Sequence, residues 1–363
     1  MSVVPRFHTL TIAEVRRETP DAVAVRFSLP PNLTSEFSYD AGQYLTLRRD
    51  FAGVELRRCY SLCAAPGSND LWIGVREEDG GRFSGWLNQH AKPGDTIDIM
   101  PPDGRFTYCP ADSEQHVLLV AAGSGITPIL SIVEEILGSD SASTATVVFI
   151  NRDAAHIMFK DKLDDLKDSY LNRLRVFHVL SREVTDVSLL SGRFDQSKCE
   201  GFFAANGVAP ASEFDSAYLC GPEALMDLVE ESLAGSGLAP SAIKRELFLN
   251  PDSPAQAPRT QPLPPVADGV KVTIILDQRQ RTISFDSTDA SVLDAARKAG
   301  MDVPYACKAG VCATCRAYLA EGEVSMERNQ ALDQDELDRG YILTCQARPL
   351  AGSITVDYDR RSG

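Results

Sequence analysis

The sequence predicts a multidomain chain: a small antiparallel β-barrel, then a parallel α/β sheet, then a compact C-terminal domain behind a Pro/Ala-rich connection. Three observations predict it. Up to about residue 111 the chain shows short alternating runs, such as "QYLTLRR" and "LWIGVREE", broken by Gly and Pro, with no long helical period; this is the pattern of antiparallel strands. From about residue 114 apolar strands alternate with helical spacing: "HVLLVAA" precedes "PILSIVEEILG", "TATVVFI" precedes "FKDKLDDLKDSY", and "SAYLCGP" precedes "EALMDLVEESLAGSG". Such alternation implies a parallel sheet. The stretch "LNPDSPAQAPRTQPLPPVADG", Leu249 to Gly269, has almost no large apolar residues and reads as a semi-extended linker. The expected boundaries are 1–111, 112–248, a linker at 249–268, and 269–363.

Beyond the linker, "VKVTIILDQ" and "RTISFDS" read as a hairpin, and "SVLDAARKAG" as a helix stopped by Gly. The chain of 363 residues is 44% hydrophobic, enough for several cores. No apolar run reaches the roughly 18 residues of a membrane span. The start, "MSVVPRFHTLTIAEV", lacks the pattern of a secretory signal. A net charge of −15 argues against nucleic acid. The expected compartment is the cytoplasm, where disulfides are rare. Of nine cysteines, Cys59, Cys63, Cys109, Cys199 and Cys220 are scattered and suit small core positions.

The other four are not scattered. Cys307, Cys312, Cys315 and Cys345 follow C-x4-C-x2-C, then 29 residues, then C, the plant-type ferredoxin spacing for a [2Fe–2S] cluster. Small neighbours, Ala306, Ala309, Gly310 and Ala313, let the backbone approach the cluster. A zinc site is the alternative, but zinc favours paired C-x2-C knuckles or Cys/His sets, and the last cysteine here stands alone. A redox pair at Cys312 and Cys315 leaves Cys307 and Cys345 unexplained.

The front of the chain carries motifs suited to a flavin and a nicotinamide. In "RRCYSL", Arg58 and Tyr60 share one face of a strand. An arginine can bind a pyrophosphate, a ring can stack on a flavin, and the Ser61 hydroxyl can bond a ring nitrogen. In "GGRFSGWL" two glycines lead into a helix with Ser84 in its first turn, which suits a phosphate. "AAGSGITPIL" follows a strand and opens a helix, so Gly123 and Gly125 let a dinucleotide approach. Pro128 occupies the third glycine position, so this departs from the G-x-G-x-x-G fingerprint. The next strand ends in Asn151-Arg152 with no acid; an arginine there accommodates a 2′-phosphate, and NADPH is preferred to NADH. An ordinary strand tyrosine, an ordinary helix entry and a solvated Arg152 are the plain alternatives. "YLCGP" puts Cys220 at a strand end where such sheets bind ligands; a core cysteine is the alternative.

Taken in order, Arg58-Cys59-Tyr60-Ser61, "GGRFS", "GSGITP", "CGP" and "KRELF" resemble the ferredoxin–NADP⁺ reductase superfamily, and the tail resembles plant-type ferredoxin. The fusion order is that of electron-supplying reductases of bacterial oxygenases. "ELRRCYS", "AAGSGITP", "PYACKAGVCATC" and "GYILTCQARPL" are similar to segments of phenylacetyl-CoA epoxidase reductase subunits. The resemblance implies a β-barrel that binds FAD, an α/β domain that binds the nicotinamide nucleotide, and a β-grasp ferredoxin domain. It implies that Arg58, Cys59, Tyr60 and Ser61 contact FAD, with Ser61 near its reactive nitrogen. It gives Arg82, Phe83 and Ser84 the pyrophosphate. Gly123, Ser124, Gly125, Ile126 and Thr127 face the dinucleotide, with Asn151 and Arg152 at the adenosine phosphate. Cys220, Gly221 and Pro222 lie near the nicotinamide, and Glu246 and Phe248 by the flavin. Ser61, Cys220 and Glu246 are the expected catalytic set.

A nicotinamide gives two electrons and a cluster takes one, so the flavin is the converter. The expected order is NADPH, FAD, cluster, then the subunits of an external oxygenase, a di-iron epoxidase on the resemblance. A reductase of another aromatic- or steroid-hydroxylating oxygenase, and a flavin/iron–sulfur redox sensor, are the rival readings. His8, His90, His116, His156 and His178 are widely separated and form no non-haem iron motif. The run "ERNQALDQDELD", Glu327 to Asp338, carries five acids and one base; it reads as a solvated helix face, or else as a dock for a basic partner.

Overall fold

Strands with one wet face and strands buried on both sort into different sheets here. The structure is a computed structural model, and it describes residues 6–68, 70–111, 113–139, 142–248, 269–350 and 352–360. The chain divides into two compact units. One comprises Thr9–Val54 and Tyr60–Phe248. The other comprises the C-terminal residues from 249 onward, with short segments at Glu55–Cys59 and before Thr9. The stretch 249–268, expected as a linker, lies outside the described residues.

In chain order the first elements are β1 (His8–Thr19), β2 (Ala22–Ser28), β3 (Tyr44–Phe51), β4 (Val54–Ser61), β5 (Leu71–Arg76), α1 (Arg82–Gln89) and β6 (Thr96–Asp103). Their strands form one antiparallel sheet in the order β4-β3-β6-β1-β2-β5. Just past β4, Leu62 bridges to Ile73 in β5, the far edge, and Cys63 N donates to the Trp72 carbonyl at 2.9 Å. That pairing closes the sheet on itself and removes both free edges along this stretch, as in a barrel.

The following elements are β7 (His116–Ala122), α2 (Ile126–Gly138), β8 (Thr144–Asn151), α3 (Lys160–Ser169), β9 (Leu174–Leu180), α4 (Gln196–Phe203), β10 (Ser216–Gly221), α5 (Glu223–Gly235) and β11 (Ile243–Leu247). The sheet is parallel, ordered β11-β10-β7-β8-β9. Alternate residues of β7 feed opposite faces. Val117, Leu119 and Ala121 join the core with α2, while Leu118 and Val120 join the core with α4 and α5. Burial on both faces is why these strands read as continuous apolar runs. The strand order reverses between β7 and β10, and the crevice beyond their carboxyl ends is where sheets of this kind bind ligands. The edge strand β9 carries no such signal in its sequence. Its residues Arg175 to His178 are only partly buried or exposed, and the interspersed Arg and His break the apolar run.

The second unit contains β12 (Val270–Leu276), β13 (Arg279–Phe285), α6 (Val292–Lys298), β14 (Arg316–Glu321), β15 (Val324–Met326), α7 (Gln334–Asp338), β16 (Tyr341–Leu343), β17 (Ala347–Pro349) and β18 (Ser353–Asp357). The hairpin β12–β13 is antiparallel, β18 runs parallel to β12, and the sheet order is β13-β12-β18-β14-β16. Helix α6 starts at Ser291, whose hydroxyl accepts from Asp294 N at 3.2 Å. Its Val292, Leu293, Ala295 and Ala296 are buried against the sheet, giving the expected β-grasp. Of the acids in this run, Glu327, Asp333, Asp335 and Asp338 are exposed as expected of a solvated face, and Glu336 alone is buried. Asp333 and Glu336 form a capping box on α7, and the Glu336 side chain is buried in an ion pair with Arg316.

At the head of α2, Gly125 is demanded by close approach. A methyl group on Gly125 would collide with the Cys220 carbonyl at the end of β10. Gly125→Ala is expected to lower stability by about 1–3 kcal/mol through overpacking, measured by urea unfolding. Gly138→Ala, which meets open space at the end of α2, is expected to stay within about 0.5 kcal/mol of the parent or above it.

Candidate functional site

The period-two alternation of β4 places Arg58 and Tyr60 on one face, both half-buried. Cys59 is half-buried and Ser61 is buried on the other face. The Tyr60 ring lies 6.0 Å from that of Phe83, and Phe83 packs edge-on against Phe51 at 5.4 Å. So two residues predicted for one cofactor, from β4 and α1, are brought together. Helix α1 begins after Gly81, which supplies no side-chain cap; its first N–H groups are free for an anion. Arg82 is exposed beside that end. Ser84 is buried, and its hydroxyl accepts from Glu78 N at 3.1 Å and donates to the Gly81 carbonyl at 3.3 Å. It therefore shapes the turn rather than offering a free hydroxyl. A half-open ring beside an uncapped helix end suits a flavin dinucleotide.

At the switch point, Gly123–Gly125 form a 3-10 turn with Gly123 at φ +55°, and α2 follows with no side-chain cap. Ser124 is half-buried, Ile126 and Thr127 are buried, and the Thr127 hydroxyl donates to the Ser124 carbonyl at 3.0 Å. At the end of β8, Asn151 is buried and its Nδ2 has no partner. Buried amide donors are rarely left so, and an unmet donor beyond a parallel strand fits a bound nucleotide. Arg152 is not idle. Its Nη2 donates to Asp21 Oδ2 at 2.8 Å, and its Nε lies 3.9 Å from Asp153. Asp21 is itself held by the Thr19 hydroxyl at 2.8 Å. Arg182 joins this corner, its N donating to the Arg152 carbonyl at 2.8 Å. Arg76, at the end of β5, reaches over Gly123. Asp21, Arg76 and Arg182 were missed from sequence. No local motif marks them, and Asp21 lies 131 residues from its partner.

Beneath the crevice, the parallel register pairs Cys220 with Glu246. The Ser61 hydroxyl donates to Glu246 Oε2 at 3.3 Å. The three residues of the expected catalytic set therefore meet. Glu246 is half-buried as a residue, but its carboxyl points inward, and burial pushes its pKa up to about 8, with the Ser61 bond pulling it back. Burial, then the Glu246 charge, raises the Cys220 thiol well above its ordinary value. Gly221 ends β10 and Pro222 precedes α5. Phe248 follows β11 and is 39% exposed, a ring with a bare face.

In the second unit the four cysteines pair. Cys307 contacts Cys312, and Cys345 contacts Cys315. Two thiol pairs fit a two-iron cluster, which these four side chains would hold. The loop conformation fits the same group. Lys308, Gly310 and Ala313 have φ of +54°, +75° and +55°, turning backbone N–H groups inward. Ala309 N donates to Cys307 Sγ at 3.3 Å. A side chain on Gly310 would meet the Arg328 carbonyl at 2.8 Å. The Thr344 hydroxyl donates to the Cys315 carbonyl at 2.9 Å and accepts from the buried Tyr358 hydroxyl at 2.8 Å, so the segment of the fourth cysteine is tied to the third. Gln346, also missed from sequence, donates from Nε2 to Cys345 Sγ at 3.4 Å.

Three domain families match: an oxidoreductase FAD-binding domain over residues 9–108, an oxidoreductase NAD-binding domain over 119–231, and a 2Fe-2S iron-sulfur cluster binding domain over 274–350. A component of 1,2-phenylacetyl-CoA epoxidase from Escherichia coli K12 is 40% identical over 98% of both chains. The ferredoxin reductase component of 3-ketosteroid-9-alpha-monooxygenase from Rhodococcus rhodochrous is 33% identical over 96% of both. Among solved structures, phthalate dioxygenase reductase shares the fold, with a TM-score of 0.59 at 23% identity over 97% of this chain and 98% of that one. No helix among the described residues is long and apolar enough to cross a membrane. The chain belongs to the family of oxygenase reductase components that join FAD-binding, NAD-binding and [2Fe–2S]-binding domains in one polypeptide.

Proposed function

We propose that this reductase takes electrons from NADPH and delivers them to a di-iron oxygenase, with phenylacetyl-CoA epoxidase as the acceptor. The bound groups supply the redox chemistry, two electrons in from the nicotinamide, separation by the flavin and single electrons out through the cluster. The observation that carries the reductase reading is the meeting of Ser61, Glu246 and Cys220 at the sheet's switch point. The acceptor rests on the 40% identity to the epoxidase component. Cys59, Cys63, Cys109, Cys199 and Cys220, the cysteines outside the cluster set, are in no disulfide, which suits a reducing compartment, and the reading places the protein in the cytoplasm.

Each side chain has a definable task. Tyr60 and Phe83 hold the flavin side, and the bare N-terminus of α1 with Arg82 takes its pyrophosphate. The second open helix end, at Gly123–Thr127, takes the nucleotide phosphates, with Arg76 above. Cys220 stays a neutral thiol under the nicotinamide and excludes water. Glu246 keeps its proton through neutral pH, and a proton moves toward the flavin side only when the Ser61–Glu246 hydrogen bond reverses, the carboxyl O–H donating to Ser61 Oγ while the Ser61 hydroxyl turns outward.

Anaerobic addition of NADPH is expected to bleach the flavin band and raise a reduced-cluster EPR signal. Cys345→Ser is expected to abolish that signal while NADPH–ferricyanide activity stays within about twofold. Full cluster in this variant would remove Cys345 from the ligands. Reconstituted wild type mixed with the epoxidase should support product formation; a steroid- or ring-hydroxylating oxygenase served equally well would return the acceptor to its rivals.

The Glu246 carboxyl also sets a pH dependence. Its pKa is near 4.5 when exposed and about 8 in the fold. Between those values the folded state holds a proton that the unfolded state has released, so stability falls as pH rises through this window and levels off above it. Glu246→Gln is expected to gain on wild type in urea midpoint from pH 5 to pH 8, and to lose the alkaline limb of the ferricyanide rate profile. Parallel curves for the two proteins would refute the buried, protonated carboxyl.

Nucleotide choice turns on Arg152. For a 2′-phosphate to bind there, Arg152 must leave Asp21. Arg152→Ala is expected to raise KM for NADPH about tenfold, the scale of a lost charged hydrogen bond, with little change for NADH. Asp21→Asn removes the competing carboxylate and is expected to lower KM for NADPH about two- to fivefold, the scale of a part-exposed ion pair. Equal effects on both nucleotides would assign the corner to folding.

A further inference from the structure

The Gln346 amide links three points of the cysteine loop. Its Nε2 lies 3.4 Å from Cys345 Sγ, 3.0 Å from the Lys308 carbonyl and 3.1 Å from the Cys345 carbonyl. The backbone around it is fixed from both sides. Gln346 N donates to the Leu343 carbonyl at 2.9 Å, and the Gln346 carbonyl accepts from Glu327 N at 3.2 Å. Lys308, whose carbonyl receives the amide, sits in the left-handed region at φ +54° and is anchored by its ammonium on Asp294 at 2.8 Å. The Gln346 side chain thus lies across the loop from the fourth cysteine to the first. Gly310 leaves it room, since a methyl there would come within 3.1 Å of Gln346 Cγ.

A donor aimed at a cluster thiolate favours the more negative, reduced state, and such bonds are among the factors that set cluster potentials. The bond to Cys307 comes from backbone N–H of Ala309, which no substitution of that side chain other than proline removes. The bond to Cys345 comes from a side chain and is adjustable. We infer that the Gln346 amide sets the cluster's reduction potential: its N–H···S bond to Cys345 makes the cluster easier to reduce, and its bond to the Lys308 carbonyl holds the fourth ligand against the loop. The inference rests on the assignment of Cys345 as a ligand.

The test is an EPR-monitored redox titration of the full-length holoprotein. Gln346→Leu, which is of similar bulk and loses the donor, is expected to shift the midpoint negative. At a fixed potential its ratio of reduced to oxidised cluster should fall about three- to tenfold, tenfold being 59 mV for a one-electron couple. Gln346→Lys keeps a donor and adds positive charge, so its midpoint should stay at the wild-type value or move positive. A Leu variant with a full cluster and the wild-type midpoint overturns the inference. So does an equal negative shift in both variants, which would make the role one of packing. If the Leu variant loses its cluster, the Lys variant decides alone, since a negative midpoint there overturns the inference. Cluster retention in Cys345→Ser is a separate result that removes the ligand assignment itself.

Discussion

The parallel pairing of β10 with β11 sets the chemistry of the reductase unit. Because Cys220 stands opposite Glu246, both side chains emerge on the face that Ser61 meets. A one-residue slip would send the carboxyl to the other side of the sheet, into a core of Leu219, Val229 and Leu247. The register is strongly specified, since a carboxyl has no hydrogen-bond partner among the apolar side chains that fill that face. The same enclosure that excludes water from Glu246 makes its proton hard to lose. Position and acidity thus come from one packing decision.

Architecture was legible because burial is written in periodicity. The strands "HVLLVAA", "TATVVFI" and "SAYLCGP" are covered on both faces and their helices follow at the expected spacing. The cysteine spacing was legible too, because a cluster demands thiolates at fixed separations whatever surrounds it. Edge elements were harder to see: β9 mixes Arg and His into its apolar positions because much of it faces water. The acidic run read as a surface face, yet Glu336 turns inward to Arg316; nothing in a charge pattern says which acid will find a buried partner.

Within the sites, residues that belong to motifs were visible and residues that reach them through space were not. Arg152 stood out as the basic residue ending a strand, but its engagement by Asp21 depends on how the β1–β2 turn lies against the sheet. Gln346 adjoins a cysteine in sequence, yet its bond to the Lys308 carbonyl needs the left-handed turn of the loop. Ser84 shows the reverse. Its place in the first turn suggested a phosphate contact, whereas its hydroxyl is consumed locally by Glu78 and Gly81.

Neither α1 nor α2 closes its own beginning with a side chain. The start of α1 leaves backbone donors for solvent or a bound anion, whereas at α2 the Ile126 N–H already bonds the Gly123 and Ser124 carbonyls and the bare turn before it faces the crevice. The dinucleotides are therefore part of the thermodynamic definition of the fold, since whatever binds the native state alone shifts the unfolding equilibrium toward it. The midpoint of unfolding would accordingly rise with the concentration of free dinucleotide, so the resistance of this chain to denaturation depends on its ligands as well as on its packing.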